Sequence, residues 1–83
     1  MYFIEFSVTA EKQLYKLDKE LQKRIISALE RRRIRPYPYL KKLIGVPYFR
    51  LRVGDYRIII DINAEKLLIL VIDMGHRRNN YEK

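Results

Sequence analysis

Residues 48–62 read Tyr48-Phe-Arg-Leu-Arg-Val-Gly-Asp-Tyr-Arg-Ile-Ile-Ile-Asp-Ile62. Two runs of aromatic and β-branched residues flank Gly54-Asp55, the pattern of two strands joined by a two-residue hairpin turn. Glycine leads because one such turn needs positive φ at its first central position. The register then follows by counting: Val53 pairs with Tyr56, Arg52 with Arg57, Leu51 with Ile58, and Arg50 with Ile59. Side chains alternate between the faces of a sheet. Phe49, Leu51, Val53, Tyr56, Ile58 and Ile60 therefore share one apolar face, which should lie against helices. Tyr48, Arg50, Arg52 and Arg57 share the other. Arg52 and Arg57 stand directly opposite each other, which weakens a ladder by a few tenths of a kcal/mol up to about 1 kcal/mol. Asp55, in the turn, can relieve only part of that. A fold does not need such a pairing, so a bound anion explains it better than chance. The bland alternative is a set of solvated arginines on an edge hairpin. Guanidinium groups grip phosphate in a planar, bidentate way that lysine does not match.

Downstream, Leu67 to Met74 reads as a last strand after a turn at residues 63–66. It is apolar on both faces, which predicts an interior position in the sheet. The tail from Gly75 to Lys83 is polar and basic, with His76, Arg77, Arg78 and Tyr81 just past that strand. If the last strand runs antiparallel to residues 56–62, its end returns beside Arg57. His76 and Tyr81 would then rim a basic concavity, or be a surface histidine and a residue of a frayed tail.

Upstream, Pro36, Pro38, Gly45 and Pro47 break residues 36–47 into an irregular connection with a short strand at Leu40–Leu43. Residues 2–6 read as an N-terminal strand. Ser7 or Thr9 can cap a helix by accepting a bond from a free amide of the first turn. Ala10, Leu14, Leu17 and Leu21 follow at helical spacing. Asp18 can cap a second helix carrying Leu21, Ile25, Ala28 and Leu29 inward, so the two helices form a hairpin with a very tight turn. The second helix ends in Arg31, Arg32, Arg33 and Arg35 before Pro36 forbids continuation. That run is either a solvated helix end complementing the helix dipole or a contact for a large RNA. A strand, a helical hairpin and then a run of strands define an α+β chain.

The chain has 83 residues, the size of one domain spanning 1–83, and 48% of them are hydrophobic, enough to exclude disorder by composition. The net charge is +8, which points to a polyanionic partner: nucleic acid, an acidic protein or an anionic membrane. There is no cysteine and one histidine, so no disulfide, thiolate site or zinc set is expected, and no metal or cofactor is implied. No export signal or membrane-length apolar run is present. The expected location is the cytoplasm.

Metal-free RNA cleavage uses the RNA's own 2′-hydroxyl as nucleophile. It needs a group to take that proton, a group to protonate the leaving 5′-oxygen, and cations around the phosphate. Arg50, Arg52, Arg57 and Arg77 can supply the cations. Tyr81 and His76 are the candidates for the base; neighbouring arginines would favour a tyrosine phenolate.

The stretch from Tyr48 to Ile62, together with Val71-Ile-Asp-Met-Gly-His-Arg77, resembles the RelE/ParE superfamily of toxins from type II toxin–antitoxin systems. Leu43-Ile-Gly-Val-Pro47 matches the approach to the hairpin, and the resemblance covers essentially the whole chain. It implies a helical hairpin on a curved, mainly antiparallel sheet of four to five strands. For the RelE-like branch it implies metal-independent cleavage of mRNA in the ribosomal A site, and a RelB-like antitoxin wrapped around the toxin in a higher-order complex. By position, Arg50 and Arg52 match basic strand residues that contact phosphate, Arg57 an arginine that stabilises the transition state, and Arg77 one that serves the scissile phosphate or leaving group. Tyr81 matches a C-terminal tyrosine that acts as base or stacks on the nucleotide, though it lies nearer Arg77 than in some relatives. His76, Arg78, Arg31, Arg32, Arg33 and Arg35 complete the expected RNA-binding set. Rival readings are a gyrase-poisoning, ParE-like toxin and a non-catalytic RNA-binding module.

Overall fold

The computed structural model describes residues 1–76. In chain order the elements are β1 (Phe3–Phe6), α1 (Val8–Tyr15), α2 (Lys19–Arg31), β2 (Leu40–Lys42), β3 (Phe49–Val53), β4 (Tyr56–Asn63) and β5 (Leu68–His76). Ser7 caps α1, its Oγ accepting from the Ala10 amide at 3.0 Å, and the same hydroxyl donates to the Ile72 carbonyl at 2.7 Å. Asp18 caps α2 by accepting from the Leu21 amide at 2.8 Å. Only Lys16, Leu17 and Asp18 separate the helices, so the turn is as tight as expected. Gln22 Nε2 braces it by donating to the Leu17 carbonyl at 2.7 Å.

The five strands form one mixed sheet in the order β1-β5-β4-β3-β2. β1 runs parallel to β5, and every other pairing is antiparallel. The hairpin register is the one counted from the sequence: Val53–Tyr56, Arg52–Arg57, Leu51–Ile58 and Arg50–Ile59. Gly54 has φ +59°, while Asp55 is not left-handed, the pattern of a type II′ turn whose twist matches the strands. β5 is interior, as its double-sided apolar sequence demanded.

Both helices cover one face of the sheet. Ile25 and Leu29 of α2 meet Ile58, Ile60, Ile69 and Val71, all six essentially inaccessible to solvent, and Ala10 of α1 closes the same core. Burying an Ile or Leu side chain contributes about 1.5–3 kcal/mol before entropy is counted, so this cluster carries most of the drive to fold. Leu17 and Leu21 flank the core and are only partly buried.

β5 carries an irregularity. Ile59 pairs with Asp73 but Ile60 pairs with Val71, so Ile72 is an extra residue, a β-bulge. The bulge is held from α1: Gln13 Nε2 donates to Asp73 Oδ1 at 2.6 Å, and Gln13 Oε1 accepts from the Met74 amide at 2.8 Å. A bulge shifts the phase of alternation. Ile69 and Val71 face the helices before it; Met74 and His76 do so after it.

The connection from α2 to β2 is also shaped by defined contacts. The Leu40 amide donates to the Tyr37 carbonyl at 3.1 Å, with Pro38 and Tyr39 as central residues and Tyr39 at φ +69°. That is a type II turn, which ordinarily places glycine or asparagine at the left-handed position.

Candidate functional site

The pleat of the hairpin places Arg50, Arg52 and Arg57 on the sheet face away from the helices, as the register requires. β2 adds Lys41, which lies opposite Arg50. Two cross-strand rows result: Lys41, Arg50, Ile59, Asp73 and, beside it, Arg52, Arg57, Gly75. Gly75, which has no side chain, is the β5 residue opposite Arg57. The bulge is what brings a glycine to this place.

The three arginines differ in environment. Arg57, on the central strand, is 7% exposed; Arg50 is half-buried and Arg52 exposed. Burial, and then the charge of neighbouring Arg52, push the Arg50 guanidinium below its ordinary pKa. Both causes disfavour the cation, and both are relieved by an anion between the guanidinium groups. A desolvated guanidinium interacts with phosphate more strongly than a hydrated one, since the effective dielectric is lower. Guanidinium groups gathered in this way can hold an anion such as phosphate. Lys41 escaped the sequence reading; the signal was available, because continuing the alternation across a short strand at Leu40–Leu43 puts Lys41 beside Arg50.

His76 lies away from the arginine face. It pairs with Tyr56 and makes an edge-to-face contact with that ring, centroids 5.8 Å apart. Tyr56 belongs to the helix-facing set, so His76 lies on the opposite face from Arg57, because the bulge reversed its phase. Arg77, Arg78 and Tyr81 lie outside the described residues. The last pairs of β5 do bring its end to the arginine hairpin: Gly75 stands against Arg57 and His76 against Tyr56.

The helix-end arginines divide into two classes. Arg31 and Arg35 are exposed. Arg32 is not the solvated cation expected: it is 8% exposed, its Nη1 donates to the Pro38 carbonyl at 2.6 Å, and its guanidinium lies 5.1 Å from the Tyr39 ring centroid. Arg33 is also engaged: Nε donates to the Tyr2 carbonyl at 3.0 Å and Nη1 to Glu30 Oε1 at 3.0 Å. These two arginines tie the connection to α2 and β1, because a helix end leaves carbonyls and loop groups that need donors. Arg31 and Arg52, far apart in sequence, line one cleft between α2 and the hairpin.

Among the described residues no three His, Asp or Glu side chains gather as a metal-ligand set, and no helix is long and apolar enough to cross a membrane.

Comparison with known proteins agrees with this architecture. The family described as ParE toxin of type II toxin–antitoxin system, parDE, matches residues 4–81. The mRNA interferase toxin RelE of Escherichia coli is 31% identical over 86 residues, covering 95% of this chain and 86% of that protein. The intact RelBE toxin–antitoxin complex of E. coli superposes with TM-score 0.83 at 25% identity, covering 92% of this chain and 96% of the matched one. A RelB–RelE antitoxin–toxin complex from Methanococcus jannaschii gives TM-score 0.75 at 30% identity, covering 94% and 95%. The chain belongs to the RelE/ParE superfamily of type II toxin–antitoxin toxins.

Proposed function

We propose that this toxin is a metal-independent endoribonuclease that cleaves mRNA on the ribosome and so blocks translation. The observation that carries the proposal is the cation face of the hairpin, where Arg50, Arg52 and Arg57 gather on the sheet face away from the helices, with Gly75 opposite Arg57. The scissile phosphate sits against the guanidinium groups. The 2′-oxygen attacks phosphorus while the P–O5′ bond breaks, giving a 2′,3′-cyclic phosphate and a free 5′-hydroxyl. One proton leaves the 2′-hydroxyl and one reaches the 5′-oxygen. Arg57, held rigidly in the sheet, stabilises the negative charge that accumulates on the phosphoryl oxygens. Arg50 and Arg52 orient the phosphate. Arg77 serves the leaving-group side and Tyr81 takes the 2′-proton; the position of His76 against Tyr56 favours Tyr81 for that task. Arg31 and Arg35 contact ribosomal RNA. The relatives named as mRNA interferases support this chemistry over gyrase poisoning.

The toxin works in the cytoplasm, where mRNA and ribosomes are, and is held by a RelB-like antitoxin in a higher-order complex. The relatives solved as RelB–RelE complexes support that partner. So does physics: a face with this charge invites an acidic covering segment. In vitro translation of a defined mRNA, read by primer extension, tests the activity. Cuts should appear only with ribosomes and fall at least about 100-fold in Arg57→Ala, the scale of losing one oxyanion-stabilising group. Absence of cuts by the wild type, together with inhibition of DNA supercoiling, would establish the gyrase reading instead. RNA binding with no cleavage would establish the non-catalytic module.

A further inference from the structure

A second cationic feature lies outside the arginine face. Between α2 and the β3–β4 hairpin runs a cleft of about 470 Å³ lined by Lys23, Arg24, Arg31 and Arg52, with Glu20 as its one carboxylate. It continues past Arg31 and Arg52 into a second hollow of about 430 Å³ that reaches Tyr39. Four cations against one carboxylate is more than solubility requires, and two details show that the cleft is shaped. Gly54, at φ +59°, has no Cβ where the Arg24 guanidinium lies, 3.3 Å from the position a Cβ would take. Arg24 therefore rests across the hairpin turn at the floor of the cleft.

Tyr39 is the second detail. It occupies the left-handed position of a type II turn, where a bulky side chain carries a steric cost that glycine would not. Yet its side chain supplies nothing to the core: the residue is 86% exposed. What the structure does provide is backing for the ring, from the Arg32 guanidinium 5.1 Å away, itself fixed on the Pro38 carbonyl. An exposed, rigidly backed aromatic at the end of a cationic groove is the arrangement that binds single-stranded nucleic acid: phosphates track the cations and a base stacks on the ring.

We infer that this cleft is a second RNA site, taking a single-stranded segment whose phosphates lie along Lys23, Arg24, Arg31 and Arg52 and whose unpaired base stacks on Tyr39. The choice of RNA over an acidic protein rests on the RNA-directed function proposed above and on Tyr39, since an acidic peptide needs the cations but not the exposed ring. Arg52 borders both sites, so one strand can pass from the hairpin face into the cleft. The segment is either mRNA beyond the cut or an unpaired stretch of ribosomal RNA.

The test is binding without catalysis or ribosomes, so that its failure is distinct from failure of the cleavage reading. A fluorescent 2′-O-methyl oligouridine of eight nucleotides, which cannot be cut, is titrated with the whole chain and read by anisotropy. Tyr39→Gly should bind about 10-fold more weakly while melting no lower than wild type, because glycine suits the turn. Tyr39→Phe should bind like wild type. The double change Arg24→Ala, Arg31→Ala should weaken binding and flatten its salt dependence by roughly 0.7 in log–log slope for each phosphate that is no longer neutralised. Unchanged affinity in Tyr39→Gly overturns the stacking site. So does equal affinity for a duplex of the same length, or stronger capture of a hexaglutamate peptide, which would assign the cleft to an acidic protein segment. A photo-crosslinking amino acid at position 39, used on ribosomes with and without mRNA, separates the sources: a crosslink requiring mRNA names the transcript, one formed without it names ribosomal RNA. Crosslinks to ribosomal protein alone overturn the proposal.

Discussion

Arg52 and Arg57 are cross-strand partners, and neutralising one of them should stabilise the isolated protein while harming its function. For directly opposed residues, whose Cα atoms are about 4.5–5.5 Å apart, a charge separation of about 6 Å serves as the scale. At an effective dielectric of about 40–80, two like charges at that distance repel by about 0.7–1.4 kcal/mol. Arg52 is exposed, which discounts the figure toward its lower end through solvent screening, and about 0.5–1 kcal/mol agrees with measured like-charge pairs in sheets. For a chain of this length that raises the melting temperature of Arg52→Gln by about 2–8 °C. Thermal unfolding followed by circular dichroism in low-salt buffer is the assay. At about 1 M salt, where the screening length is about 3 Å, the difference should nearly vanish. Inorganic phosphate should stabilise wild type more than the variant, the outcome expected of an anion held by both cations. An Arg52→Gln protein that melts below wild type at low salt, or a difference that salt does not change, would refute the electrostatic account of the pair. Any loss of mRNA cleavage in the variant would then be assigned to structure rather than to a weakened hold on phosphate.

Other residues make further predictions. His76→Ala should cut mRNA within about threefold of wild type with an unchanged pH profile, because the imidazole faces Tyr56; a loss of about 100-fold would restore His76 as the base. Gln13→Ala removes the clamp on the bulge and leaves the Asp73 carboxylate and the Met74 amide without it, so urea unfolding should show a loss of about 1–3 kcal/mol. Arg32→Ala should lower stability by a similar amount through the Pro38 carbonyl, whereas Arg35→Ala should leave stability within about 0.5 kcal/mol of wild type. For Arg50 the folded state lowers the pKa of a cation, so charging it opposes folding at every pH below that lowered value, and the penalty disappears only as pH rises through it. Near neutrality both folded and unfolded states are protonated. The stability difference between wild type and Arg50→Gln should therefore be flat from about pH 5.5 to about pH 8.5, and a slope there would contradict the assigned cause.

The parts legible in the sequence are those governed by local rules. Gly54-Asp55 determined a turn, the turn determined a register, and the register put Arg52 opposite Arg57 by counting alone. Asp18 and Ser7 marked helix starts for a similar reason: an orphan amide needs an acceptor within three residues. Two things resisted. Arg31, Arg32, Arg33 and Arg35 look equivalent as a string, but the helix turns about 100° per residue and then ends, so neighbours leave in different directions. Arg32 goes inward to Pro38 and Tyr39, Arg33 goes to Tyr2 and Glu30, and only Arg31 and Arg35 stay in solvent. Charge density along a chain is therefore a poor measure of charge available to a partner.

The bulge at Ile72 resisted for a deeper reason, and its effect reaches the site. Alternation along β5 without it would send Ile69, Val71, Asp73 and Gly75 to the helices, and Ile72, Met74 and His76 to the arginine face. That arrangement would bury a carboxylate, waste a glycine under α1 and crowd Arg57 with an imidazole. One extra residue reverses all of these together: Met74 enters the core, Asp73 finds Gln13 at the edge of α1, and Gly75 comes to lie opposite Arg57. Ile-Ile-Ile at residues 58–60 gives no hint, since it is apolar in either phase. The hint was in β5 itself, where Asp73 and Gly75 share a parity that a helix-covered face tolerates poorly, and in Gln13, a polar residue one turn after Ala10 that reaches across to the sheet. A bulge is set by such long-range satisfaction of polar groups, which is why the faces of β5, unlike those of the hairpin, could not be counted from a turn.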